Sequence, residues 1–124
     1  MSTAGIVHFS LAQAPVEVDY PRPDRLLSEH NPRRETCNFY AAGGVSAGIW
    51  SCEPGRWRIA FAGHKHEYFH VLEGRLAIED EQGLRREFGP GEAGLIPAGF
   101  RGVFQVLEPV RKHYVVIEEH RGNE

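Results

Sequence analysis

The chain has 124 residues, 41% of them hydrophobic, with fourteen glycines, eight prolines and a formal net charge of −3. That leaves room for one compact domain rich in turns. Its acidic and basic residues are interspersed, which argues against the basic stripe that a nucleic-acid surface needs, and no window approaches the roughly 18 to 20 apolar residues that span a bilayer.

The start, Met1-Ser2-Thr3-Ala4-Gly5, lacks the charged and apolar regions of a secretory signal. Cys37 and Cys52 have no metal-like spacing and are expected to be free thiols. The expectation is a cytoplasmic protein with neither membrane nor nucleic-acid partners. Residues 1–44 carry short apolar pieces broken by Pro15, Pro21, Pro23 and Pro32. Proline fixes φ and removes a donor, so this stretch is predicted to run as an extended arm with turns. An apolar arm of this kind needs a sheet or a second subunit to lie against, and a homodimer is expected.

From Val45 the pattern becomes regular, and residues 45–120 are predicted to form one barrel. The β-rich runs are Val45–Cys52, Arg56–Ala62, Glu67–Leu72, Arg75–Glu79, Arg85–Phe88, Gly94–Ile96, Gly102–Leu107 and Arg111–Glu119. Breaks are predicted at Glu53-Pro54-Gly55, Gly63-His64, Glu73-Gly74, Asp80 to Gly83, Gly89-Pro90-Gly91, Pro97-Ala98-Gly99 and Glu108-Pro109. Short strands at this spacing signal an all-β sandwich or barrel. A barrel of about eight strands closes its own edges and holds side chains or one small ligand inside.

Two phrases give the barrel a more specific likeness. Glu67, six residues and Gly74 are followed by Gly91, five residues, Pro97, Ala98 and Gly99. These resemble the two motifs of the cupin superfamily, G-x5-H-x-H-x(3 or 4)-E-x6-G and G-x5-P-x-G-x2-H-x3-N. The stretch Leu107-Glu108-Pro109-Val110-Arg111-Lys112-His113-Tyr114 is similar to the ending of small single-domain cupins, a branch similar to the cupin halves of ureidoglycine aminohydrolase and to an ethanolamine-utilisation cupin. The resemblance implies a double-stranded β-helix, or jelly-roll-like barrel, with its site inside.

In that superfamily two histidines, a glutamate and a later histidine commonly bind a divalent metal. Here the first pair falls on Ala60 and Ala62, or on Phe61 and Gly63, and the later histidine on Gly102. Glu67 stands alone, and one carboxylate cannot hold such an ion tightly. No cofactor is expected. The alternative is a site for Mn, Fe, Ni or Zn built from His64, His66 and Glu67, which requires a turn between His66 and Glu67, because alternation along a strand puts the histidines on the opposite face.

The same alternation sends Phe69 and Val71 inward with Glu67, Phe104 and Val106 inward with Gly102, and leaves His70 outward. On the last strand Lys112 and Tyr114 are predicted to face in, which gives an interior glutamate a cation. Arg33-Arg34-Glu35 reads as solvated surface. The leading functional expectation is a metal-independent cupin that binds a small polar molecule, carboxylate- or amide-bearing, through Glu67, Phe69, Phe104, Lys112 and Tyr114. One alternative is an enzyme with Glu67 as general base and Lys112 or Tyr114 polarising the substrate, and another is a dimeric structural or regulatory module.

Overall fold

The computed structural model describes residues 4–10 and 13–119. Its elements are β1 (Val16–Asp19), β2 (Arg34–Ala42), β3 (Val45–Cys52), β4 (Gly55–Ala60), β5 (Lys65–Asp80), β6 (Arg85–Phe88), β7 (Ala93–Ile96) and β8 (Arg101–Glu118). Among the described residues no helix is long and apolar enough to cross a membrane.

Two long antiparallel strands form the axis. β5 pairs with β8 from Lys65↔Glu118 to Asp80↔Gly102. On the far side of β8 lie β3, paired from Val45↔Ile117 to Cys52↔Val110, and β4, paired from Gly55↔Val106 to Ala60↔Arg101. On the far side of β5 lie β7 and β6. β2 continues the β3 side through a two-residue turn at Gly43-Gly44, where φ of +59° and +81° suits glycine. β1 then pairs with β2 from Val16↔Cys37 to Asp19↔Arg34. The arm is thus joined to the sheet by hydrogen bonds. The ladder ends at β1 and β6, so the barrel is closed by packing and its edges stay open.

The predicted breaks at Glu73-Gly74 and Glu108-Pro109 are not turns between strands. Both lie inside continuous strands, where the β5–β8 register shifts between Val71 and Leu76. Gly74 has φ +80°, and a Cβ there would stand 2.0 Å from the Pro109 carbonyl oxygen. A bulge in one strand meets a proline in the other, and neither demands a ladder bond the other cannot give. The breaks between β3 and β4 and between β6 and β7 fall beside this same line, and there the sheet folds over. Lys112 and Phe104, eight residues apart on β8, would be separated by roughly 26 Å if the strand were straight. Instead the Lys112 ammonium lies 5.0 Å from the Phe104 ring centre.

Folding the sheet faces its two halves together around Trp57, Phe69, Val71, Leu76, Ile96, Phe104, Val106 and Val110, all buried. Each large apolar side chain removed from water contributes about 1.5–3 kcal/mol. On the outer face the arm's Phe9 packs 5.1 Å from Phe39 and 5.5 Å from His113, ring centre to ring centre.

Candidate functional site

The odd-numbered residues of β5 from Lys65 to Val71 and the even-numbered residues of β8 from Val110 to Val116 point into the fold. A cavity of about 300 Å³ opens between them, against Trp50 of β3 and Trp57 and Ile59 of β4. Glu67, Phe104, Lys112 and Tyr114 line it, as does Phe61.

At its centre Lys112 Nζ donates to Glu67 Oε2 at 2.8 Å. Their side chains are 4% and 14% exposed. The ammonium also lies 4.7 Å from Trp50, 4.8 Å from Phe69 and 5.0 Å from Phe104, measured to ring centres. Three ring faces and one carboxylate replace the water that a lysine normally keeps. Phe69 is fully buried and supports the ammonium from behind without lining the cavity.

Tyr114 donates from Oη to Asn38 Oδ1 at 2.6 Å. Gly48, Cα partner of both residues, makes this bond possible. A Cβ at Gly48 would meet the Tyr114 hydroxyl at 2.9 Å and the Cys37 carbonyl oxygen at 2.0 Å. Burial first, and the Glu67 carboxylate second, push the Tyr114 hydroxyl up to about 12, so it stays protonated and serves as a donor.

Arg34, Asp19, Thr36 and Lys65 lay outside the sequence expectation. Arg34, read as solvated surface, has its side chain 21% exposed and lines the cavity with Asp19 and Thr36. Its Nε and Nη2 hold Asp19 in a fork at 2.9 and 2.7 Å, and its guanidinium lies 5.5 Å from the Trp57 ring centre. Alternation along β2, which puts Arg34, Thr36 and Asn38 on one face, carried that signal once β2 was known to be a strand. Lys65 shares the parity of Glu67 and also lines the cavity, its ammonium 4.7 Å from the Phe61 ring centre.

The structure does not bring His64 and His66 onto Glu67. His66 Nδ1 accepts from the Ala98 backbone N–H at 3.2 Å, so its Nε2 carries the proton and donates to Glu119 at 2.6 Å. His64 Nε2 lies 3.8 Å from Glu118. His70 stacks on His113 at 6.3 Å, ring centre to ring centre, on the outer face.

The donors expected of a metal-holding cupin do not fit here. Ala60 and Ala62 are exposed, and Phe61 presents a ring to the cavity. Gly102 cannot take a side chain as it stands, because a Cβ would be 2.1 Å from the Glu79 carbonyl oxygen and 2.9 Å from the Phe100 ring. Glu67 is already neutralised by Lys112. Among the described residues no three His, Cys, Asp or Glu side chains are grouped to hold an ion.

Comparison with known structures agrees with this fold. A Pseudomonas syringae pv. tomato protein of unknown function from the DUF861 family superposes with a TM-score of 0.72 at 24% identity, covering 86% of this chain and 45% of its own. This chain therefore spans less than half of that protein. The Clostridium difficile EutQ protein gives 0.64 at 21% identity, covering 82% of this chain and 81% of its own. A putative ethanolamine utilization protein Q from Salmonella typhimurium gives 0.63 at 19%, covering 88% and 98%. No curated protein matches the sequence. Residues 40–114, more than half of the chain, match the family described as the EutQ-like cupin domain, and the chain belongs to that family.

Proposed function

We propose that this cupin binds a small polar organic molecule, carboxylate- or amide-bearing, inside its barrel and does so without a metal. The observation that carries the reading is the Lys112–Glu67 pair. A cation built into the chain sits on the one glutamate that matches the family's metal-binding motif, inside a cavity with an aromatic wall. Breaking such a pair by removing one partner is costly, while keeping it intact beside a cavity offers a ligand both a donor and an acceptor. Catalysis is not needed to account for this arrangement.

The test is metal content by mass spectrometry on untagged protein dialysed against Mn, Fe, Ni and Zn, followed by thermal denaturation with a panel of small metabolites. The expected result is no stoichiometric ion and a rise in Tm with at least one metabolite, since a ligand that binds only the folded state stabilises it by mass action. About one ion per chain, lost in His64→Ala/His66→Ala, overturns the metal-free reading. We also propose a homodimer, supported by the outer groove in which half-buried Phe9, Phe39, Ile49 and Leu72 lie among Glu35, Arg111 and His113; light scattering showing a monomer at micromolar concentration overturns it.

A further inference from the structure

The hydrogen bonds around the cavity leave a specific remainder. Of the three cations that line it, Arg34 is held by Asp19 and Lys112 by Glu67. Lys65 has no carboxylate within ion-pair distance among the described residues, and its ammonium rests only on the Phe61 ring. Glu118, opposite Lys65 on β8, approaches His64. On the acceptor side, Glu67 uses Oε2 for Lys112, and no donor reaches Oε1 among the described residues. Glu67 lines the cavity, and Oε1 is the oxygen that Lys112 leaves unused. Among the described charged side chains that line the cavity, Lys65 Nζ is therefore the cation without a carboxylate, and Glu67 Oε1 is an oxygen of the Lys112-paired carboxylate that no donor reaches. They sit two residues apart on the same face of one strand, roughly 7 Å between their Cα atoms.

From this remainder we infer that the cavity selects a small molecule carrying both a carboxylate and an N–H donor, the carboxylate held by Lys65 and the N–H by Glu67 Oε1. This rests on the binding reading above and narrows it. A simple anion satisfies Lys65 and leaves a carboxylate oxygen facing the ligand's apolar part; a simple amine does the reverse. A molecule with both groups meets both, with charge-assisted bonds at each end. Its remaining atoms lie against Trp50, Trp57 and Ile59, and a cavity of about 300 Å³ is at the small end of ligand sites, which points to amino-acid-sized compounds.

The two tryptophans of the chain, Trp50 and Trp57, both line the cavity, so intrinsic fluorescence reports its occupation directly. The experiment titrates the full chain with free amino acids, their methyl esters, the matching α-hydroxy acids, and a general panel of sugars, amines and simple acids. The expected result is binding of at least one amino acid, with the ester and the hydroxy acid each weaker by about tenfold or more, the equivalent of one lost charge-assisted bond. Lys65→Met removes the ammonium while keeping an unbranched apolar side chain, and is expected to lower affinity for the acid about tenfold while leaving the ester unchanged; Lys65→Arg restores discrimination. Apo Tm values confirm that each variant is folded.

Equal affinity for acid and ester, or no effect of Lys65→Met on folded protein, overturns this inference and leaves the binding reading standing. So does binding confined to sugars or simple amines. No change in fluorescence or Tm with any compound of either panel overturns both.

Discussion

The inner and outer faces of the β5–β8 pair treat ionisable residues in opposite ways. Inside, Glu67 and Lys112 share one hydrogen bond within a cage of rings, and Tyr114 spends its proton on Asn38. Outside, His66 is tied to Glu119 at the rim, and His70 and His113 lie against each other. The imidazoles that a metal would want are on the face away from the cavity, and the cavity holds a charge pair that needs none. A single-residue parity decides which chemistry the fold can reach.

The largest break in this comparison is at Lys112. Replacing it by Met leaves Glu67 in the cavity without its cation. The expected loss is about 3 kcal/mol in urea denaturation, as for a buried pair broken on one side. Glu67→Gln in the same chain is expected to recover most of that loss, since the stranded charge is gone. If the single variant costs no more than an outer-face substitution such as His70→Gln, the pair is not the interior anchor described above.

A second break adds the missing ligand. Gly102→His restores the histidine of the second cupin motif, but its Cβ would press on the Glu79 carbonyl oxygen and the Phe100 ring. Overpacking of this kind costs on the order of 2 kcal/mol. The expected outcome is a destabilised protein with no gain in bound metal by mass spectrometry. A stable variant that retains one ion per chain would show that only this side chain separated the cavity from a metal site.

Much of this was legible in the sequence. The glycine and proline phrases named the fold and placed Glu67, alternation carried Phe69 and Phe104 inward from the motif positions, and the need to give Glu67 a cation chose the face of Lys112 and Tyr114. What was not legible came from tertiary pairing. Glu73-Gly74 and Glu108-Pro109 have the composition of turns, yet each is a bulge answered by the other strand, and neither segment alone contains that information. Arg34 read as surface because the strand that turns it inward is recognised only through its pairing with β3. Lys65 was overlooked for a different reason: its two histidine neighbours suggested a metal, although it shares the parity of Glu67.

The faces also differ in how they respond to pH. Tyr114 has its hydroxyl raised from 10.0 to about 12 by burial and by Glu67. In the unfolded chain it loses its proton first, so the stability it lends is complete below pH 10 and drains away as pH rises from 10 to about 12. Tyr114→Phe is expected to flatten that alkaline arm in urea denaturation followed by fluorescence, and to remove the phenolate absorbance that appears near pH 12. An unchanged alkaline arm would mean that the hydroxyl is not held inside.

His113 gives the smallest and most local effect. Desolvation, then His70 and Arg111, lower its pKa below the ordinary 6.5. The unfolded chain therefore takes up this proton at a pH where the folded one still refuses it. The stability that His113 contributes is complete above pH 6.5 and is lost as pH falls from there towards the depressed folded value. Phe9 packs edge-on against the same imidazole, so a charge on His113 also works against the arm's seat on the outer face. His113→Gln is expected to flatten the acid side of the stability profile below pH 6.5 while leaving the alkaline arm of Tyr114 intact. If His113→Gln moved both arms, the two faces would be coupled through β8, and the separation between cavity and outer surface would fail.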